Sequence, residues 1–546
     1  MFPSECVRRK HGIFDFIPDR CYNNSAAAEC KTAGLRCCWH LLQRMDGAID
    51  MLFNSLQFVI FFPIVVLIYF FIPKRMRYIW LLAASYFFYM CWNPKYVLLL
   101  LFSTGISYAA GLLLERWRDR PKQKKAVVAV GAVLNFSILF LFKYLDFVWQ
   151  SAGAVLEKFH FSLPENTLVL LLPVGISFYI FQVVGYIVDV YRGTIEAERN
   201  FARYALFISF FPQLVAGPIE RSKNLLPQIR ELEKLKLWDS ERIQKGALVM
   251  VYGYILKMVL ADRAALYVDT VFSVENFGVY QGIPVFVAAA LFAVQIYCDF
   301  AGYTYIAIGA AQIMGIRLMN NFNAPYFAVS FKDFWDRWHI SLSTWFRDYL
   351  YFPLGGSRKG RVRKYLNILL VFCVSGLWHG AAWHYVIWGC LHGICRVIGE
   401  LTAGFRKNEW QRLKVNTEVF SFRLWRRLFM FTAVSIIWIF FRVEAVSQAF
   451  LLIKNMLAVW NPWVLFDGSL FSIGLDSKDW NILIAALVLL LSVDRYRVRQ
   501  KSLPEAFVQQ NLVFRWLVIF AGIFAVLIFG VYGADYNAAQ FIYFQF

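Results

Sequence analysis

His379 stands in SGLWHGAAW (375–383), well inside an uncharged run from 365 to 395. Imidazole is the side chain best suited to take a proton from a hydroxyl near neutral pH. A polar group at mid-membrane depth is costly unless something uses it. Two readings stand open on the pattern alone. One is a functional histidine; the other is an interhelical hydrogen bond at a glycine-lined contact. Trp378, Gly380 and Trp383 flank the histidine in both. His384 and His392 share the run, but position 384 lies about 140° round a helix from 379. One continuous helix would not present both, so these two read as packing or interfacial residues.

Upstream, FKDFWDRWHISLSTWFRDYLYFPLGG (331–356) interleaves aromatics and charges too densely for a lipid-facing span. It suits a helix lying in the interface or lining a polar cavity. It sets His339 near Asp336, Arg337, Arg347 and Asp348, where an interfacial anchor with paired charges is the competing reading. Asp299 is the one formal charge inside 276–316. A carboxylate there is a functional candidate by default, although Tyr297, Gly302 and Tyr303 are near enough in sequence to hold it structurally. Glu220 and Arg221, in FFPQLVAGPIERSKNLLPQI, end an apolar stretch whose two prolines and a glycine predict a broken helix or re-entrant loop. Such backbone survives at membrane depth only when buried in protein or lining a cavity.

The elements that must position these residues are apolar. The chain is 59% hydrophobic and 17% charged, against about 25% charged in soluble domains. Charge-free runs at 51–73, 126–142, 166–188, 204–219, 365–395, 428–441, 480–493 and 516–534 are interrupted by short basic clusters. Counted against the length needed to cross lipid, they predict an all-α polytopic integral membrane protein. About eleven to thirteen membrane-embedded segments are expected, some of them re-entrant or interfacial. The run 365–395 would measure about 46 Å as one straight helix, against a hydrocarbon core of about 30 Å. It should break or tilt, and Ser375-Gly376 and Gly380 are the expected points. The net charge of +20 lies between spans, as the positive-inside rule expects, and does not imply nucleic acid. Lys74, Arg75 and Arg77, then Arg116, Arg118, Arg120, Lys122, Lys124 and Lys125, fall on one face if the intervening stretches each cross once. Placing that face in the cytoplasm puts Met51 outside.

Residues 1–50 differ from the rest: polar, aperiodic and without a signal-peptide apolar core. They read as an unmatched N-terminal extension whose loss should leave activity intact, ahead of 51–546 as one membrane domain. Cys37, Cys38 and His40 fit no familiar zinc spacing, so no metal site is expected. No polar stretch after Met51 is long enough to fold by itself, since independent domains need about 50 residues. Any chemistry therefore happens in or at the lipid bilayer.

LPVGISFYIFQVVGYIVDVYRG, FFPQLVAGPIERSKNLLPQI, DFAGYTYIAIGAAQIMGIRL, NFNAPYFAVSFKDFWDRWHISLSTWFRDYLYFPLGG and SGLWHGAAWHYVIWGCLHG follow one another in a fixed order. In that order they resemble the membrane-bound O-acyltransferase (MBOAT) family, above all its bacterial alginate O-acetyltransferase branch. The likeness runs from Met51 to the ending QFIYFQF. The teichoic acid D-alanyl transfer proteins share much of the pattern. The resemblance implies a helical core enclosing a passage, with His379 catalytic and His339 the second site histidine. Asp299, Arg347, Asp348, Trp378, Trp383, Tyr303 and Arg221 are the candidate passage or supporting residues. It also implies a cytoplasmic acyl thioester donor such as acetyl-CoA, with no bound cofactor. The expected acceptor is a hydroxyl on an extracytoplasmic polysaccharide or a carrier protein, and the expected location a bacterial inner membrane. Apolar burial would keep His379 neutral and able to act as a base. His339 would orient the acceptor or stabilise the oxyanion. An acyl-enzyme on Cys373 or Ser375 is an alternative route. A transporter or flippase of donor or glycan, with His379 and Asp299 in a proton path, is the alternative from another class. It lacks the internal repeat expected of many transporters.

Overall fold

The computed structural model describes residues 51–532, apart from 165, 167–169 and 216, together with Ile542. The extension at 1–50 and the reading of Cys37, Cys38 and His40 lie outside the described residues.

An apolar run in lipid has no water for its backbone, so it closes its own hydrogen bonds as a helix. The chain opens with α1 (Leu56–Phe71), α2 (Arg77–Met90), α3 (Tyr96–Arg116), α4 (Pro121–Leu139), α5 (Leu145–Leu156) and α6 (Ile176–Tyr191). Short helices α7 (Phe201–Ser209), α8 (Phe211–Leu214) and α9 (Ser222–Arg230) precede α10 (Ser240–Tyr254), α11 (Asp262–Phe272) and the long α12 (Ile283–Ile313). Then come α13 (Phe331–Arg337), α14 (Ile340–Phe346), α15 (Arg361–His379), α16 (Trp383–Leu401) and α17 (Ala403–Arg412). The chain closes with α18 (Phe420–Arg442), α19 (Val446–Ala458), α20 (Ser477–Val498), α21 (Leu503–Val508) and α22 (Leu512–Phe529). No strand occurs among the described residues.

Six stretches are long and apolar enough to span: Tyr96–Arg116, Pro121–Phe159, Ser240–Phe272, Ile283–Ile313, Phe420–Arg442 and Leu512–Phe529. A seventh is added if α16 and α17, bent by 47°, count together, and α1, α6 and α19 are shorter apolar helices. The protein is thus an all-α multi-pass membrane protein. The full spans are fewer than the embedded segments because several apolar runs fold into pieces too short to cross. The run at 204–219 is an example: α7 has 9 residues and α8 has 4. Non-helical backbone follows, with Val215, Ile219 and Glu220 buried. Side chains satisfy that irregular backbone. Ser85 Oγ accepts from the Phe211 amide (3.1 Å), Ser341 Oγ from the Ile219 amide (3.1 Å), and the Gln182 and Gln213 amides both donate to the Phe207 carbonyl (2.7 Å each).

Close helix contacts are made through glycine. A β-carbon on Gly253 of α10 would lie 2.6 Å from the Gly302 carbonyl of α12. Seven residues back along α10 and seven on along α12, Gly246 and Gly309 repeat the contact, so the two backbones touch as small-residue pairs allow. Three π-helical turns, Phe140–Tyr144, Ile255–Ala261 and Arg347–Tyr351, interrupt otherwise helical runs. Such turns often mark functional positions. Here the first carries Lys143, the second Lys257, and the third Arg347 and Asp348.

The run 365–395 does break, at one of the two expected points. α15 ends at His379, Gly380 and Ala382 are extended across a bend, and α16 returns antiparallel. Ser375-Gly376 stays helical. Gly376 is instead the site of closest approach, where a β-carbon would overlap the Tyr385 carbonyl on α16. His379 accordingly sits at a helix end and not half-way along a continuous helix.

Candidate active site

The end of α15 is held by the π-turn opposite. Lys143 Nζ donates to the carbonyls of Trp378 (2.7 Å) and His379 (3.2 Å), and Tyr144 Oη donates to that of Leu377 (3.1 Å). A helix leaves its last carbonyls without partners, and a cation there also complements the helix dipole. The catalytic candidate is therefore fixed by its own backbone. Its ring is enclosed by Trp378 (5.0 Å between centroids), Trp388 (5.1 Å) and Phe441 (5.4 Å).

His339 reaches the same chamber, its ring centroid 6.2 Å from that of His379. It occupies the left-handed region (φ 43°) between α13 and α14. Two backbone bonds tie this reversal to the 321–323 segment: the Ile340 amide to the Asn321 carbonyl (2.9 Å) and the Asn323 amide to the Arg337 carbonyl (3.0 Å). Neighbouring charges were expected to crowd His339, and here the structure corrects the sequence reading. The reversal turns the imidazole inward against Phe300 (4.8 Å) and Trp378 (6.0 Å). Arg337 is drawn away to Asp333 (2.6 Å), and Asp336 lines a separate cleft.

Asn321 decides the tautomer of His339. Its Oδ1 accepts from the Ser341 amide (3.3 Å) and Ser341 Oγ (2.8 Å), and it lies 3.1 Å from His339 Nδ1. A backbone amide can only donate, so the atom facing it is the oxygen. The ring nitrogen facing that same oxygen must then carry the hydrogen. In neutral His339 the lone pair therefore sits on Nε2. That nitrogen can accept from a hydroxyl; it can donate to an oxyanion only after taking a proton.

Two clefts border α15. One, about 70 Å³, is lined by His379, Trp378, Lys143, Ser177, Phe178 and residues 172–176. The other, about 520 Å³, has Lys332, Lys364, Arg347 and Arg396 with Phe372, Trp335 and Ser375 among its walls. Lys364 begins α15, Ser375 lies about 16 Å farther along it, and His379 comes one turn later. The first cleft thus includes the histidine, and the second runs along α15 from its basic end as far as Ser375.

The remaining candidates divide. Trp378 joins the two histidines. Trp383 does not: the 380–382 segment turns it outward, 57% exposed, against Phe147 (5.4 Å). Asp299 and Tyr303 face away from the chamber, whereas Phe300 between them faces His339. Asp299 pairs with Lys257 (2.6 Å), which also holds Asp262 (2.8 Å), and accepts from the Ile542 amide (2.8 Å). The expected tyrosine partners go elsewhere. Tyr297 donates to Asp494 (3.1 Å) and Tyr303 to Asn54 (2.6 Å). Arg221, Arg347 and Asp348 gather away from the histidines, Asp348 pairing with Arg221 (3.2 Å) and Arg347 (3.0 Å). Of these only Arg347 lines the larger cleft. His384 bonds the Phe440 carbonyl (3.0 Å), and His392 packs beyond Trp388 (5.1 Å). Sequence reasoning missed Lys143, Lys257 and Asn321. The two lysines could have been found as lone charges beside or within apolar runs; Asn321 carries no such signal.

Two buried imidazoles thus face each other beside a small cleft, inside an all-α membrane protein. The chain belongs to the membrane-bound O-acyltransferase family, whose sequence model matches residues 192–441. Over 454 residues it is 35% identical to the probable alginate O-acetylase AlgI of Pseudomonas syringae pv. tomato, covering 83% of this chain and 84% of that one. It is 33% identical to the peptidoglycan O-acetyltransferase of Helicobacter pylori over 439 residues, 75% of this chain and 80% of the relative. To the teichoic acid D-alanyltransferase of Bacillus subtilis it is 30% identical over 286 residues, 50% of this chain and 68% of the relative. The protein is an O-acyltransferase.

Proposed function

We propose that this protein moves an acetyl group from a cytoplasmic thioester to a hydroxyl of an extracytoplasmic glycan or carrier protein, in a bacterial inner membrane. In this reading the Met51 end faces outward. The observation that carries it is the pair of buried histidines, 6.2 Å apart, at the end of α15, with a basic cleft along the rest of that helix. The basic cleft suits a donor whose phosphates stay at Lys332, Lys364 and Arg396 while an acyl thioester arm runs past Phe372 and Ser375. The smaller cleft suits the acceptor hydroxyl. His379 takes the hydroxyl proton as oxygen attacks the thioester carbonyl; the C–O bond forms, the C–S bond breaks, and the proton passes to the departing sulfur. Nε2 of His339 accepts from the incoming hydroxyl and orients it. The names of the relatives favour acetyl over D-alanyl transfer, because the O-acetylating ones match the larger share of the chain.

The test is single-turnover transfer from acetyl-CoA by purified protein in detergent, with no ion gradient. His379→Gln should lower the rate by about 10²–10⁴-fold, with donor binding and thermal unfolding nearly unchanged. His339→Gln should lower it less, partly through acceptor affinity. Ser375→Ala should retain activity, as direct transfer requires. A His379→Gln enzyme that works at near wild-type rate, or that fails only by not folding, would overturn the assignment. Transport by an otherwise transfer-inactive protein would favour the transporter reading.

A further inference from the structure

Away from the histidines, two adjacent helix ends turn a set of arginines towards one cavity. Arg423 and Arg427 are one turn apart near the start of α18, and Arg495 and Arg499 one turn apart at the end of α20. All four line a cavity of about 310 Å³, with Phe327 and Phe420 among its apolar walls. Like charges four residues apart on a helix repel, and here two such pairs face each other. Glu418 is the one acid among the lining residues, and it is paired with Arg423. Arg427 lies over the Phe327 ring (5.2 Å), and its Nε is shielded from solvent with no hydrogen-bond partner among the described residues. α18 also starts with no capping side chain and no acid in its first turn, so the positive end of its dipole adds to the field. The arrangement is short of negative charge.

We propose that this cavity binds the phosphodiester headgroup of an anionic phospholipid. Its place at the basic ends of α18 and α20, beside an apolar helix face, argues for a lipid as the source of the phosphate. Beside the arginines, α18 exposes Leu424, Trp425 and Leu428, an apolar flank for acyl chains with a tryptophan at interfacial height. Basic pockets between spans on the cytoplasmic side are suited to such headgroups. The bound phosphodiester bridges α18 to α20. α18 carries Phe441 to within 5.4 Å of His379, so the lipid steadies the helix that walls the active site.

The experiment uses the full chain in phosphatidylcholine nanodiscs with increasing phosphatidylglycerol. Bound lipid is counted by native mass spectrometry and thermal unfolding is followed in parallel. Retained phosphatidylglycerol and a raised Tm are expected. Arg427→Gln with Arg495→Gln should weaken that binding about twenty-fold or more, each arginine near an anionic headgroup being worth about five-fold. In pure phosphatidylcholine the double variant should unfold and transfer acyl groups like the wild type. Arg499→Gln alone should give a smaller loss in the same direction, which guards against a double variant that fails to fold. Unchanged phosphatidylglycerol binding in both variants overturns the proposal. An equal Tm rise with inorganic phosphate in neutral nanodiscs assigns the cavity to a soluble anion and overturns the lipid assignment.

Discussion

Replacing Asn321 by leucine removes the acceptor that fixes His339 while roughly keeping side-chain size. Three donors point at Asn321 Oδ1: Ser341 N, Ser341 Oγ and His339 Nδ1. Leaving a buried donor unpaired costs about 1–3 kcal/mol. Ser341 Oγ can rotate to another acceptor, so the amide and the ring N–H carry the loss, about 2–6 kcal/mol of stability. The ring has an escape that the amide lacks. Moving its hydrogen to Nε2 ends the strain at Nδ1, and it also fills the lone pair that in the proposed mechanism meets the acceptor hydroxyl. The same 1–3 kcal/mol, taken as a tautomer shift, lowers the competent population by about 5- to 150-fold. Asn321→Asp retains an oxygen for all three donors and should recover most of the rate. The assay is single-turnover acyl transfer with thermal unfolding measured alongside, in wild-type and His339→Gln backgrounds. In the second background Asn321→Leu should still lower the Tm yet cost no further rate. An equal rate loss in both backgrounds, or an aspartate variant no better than leucine, would refute the positioning argument.

Lys143→Met uncovers the Trp378 and His379 carbonyls. It should cut the transfer rate about ten-fold or more, as loss of a buried charge-assisted hydrogen bond of about 1.5–3 kcal/mol allows, with donor binding unchanged as the control measurement. Lys257→Met leaves Asp299 and Asp262 without their shared cation and should destabilise by about 3–5 kcal/mol. That is read as a lower Tm with transfer per folded molecule preserved; a normal Tm would count against the buried pairing. Gly253→Leu forces α10 off the Gly302 carbonyl and should sharply reduce folded protein in membrane extracts, where Gly105→Ala, whose β-carbon meets open space, should not. Full-length polysaccharide should be acetylated slowly by the chain alone and faster once a glycan-presenting protein is added; rapid multi-site acetylation by the chain alone would count against that need.

Composition and the placing of charge were enough to settle that this chain is all-α and lies in a membrane, because lipid offers an unpaired backbone group nothing. Motif order was enough to indicate the family, and Gly380 to place one break in 365–395. The two histidines were legible as candidates, since a polar ring in an apolar run must answer to something. What they meet was not. His339 has charged neighbours along the chain and aromatic ones in space, because the left-handed turn at that residue swings the ring from one set to the other. Asp299 and Tyr303 lie within a turn of Phe300, yet only Phe300 enters the chamber; which face of α12 turns inward depends on the glycine contact with α10. Lys143 precedes the histidine it secures by more than 200 residues. Asn321 precedes His339 by 18 residues, across a segment with no regular period. Such partners are set by where helices end and how closely they pack. That is a property of the assembled bundle, and local spacing along the chain does not encode it.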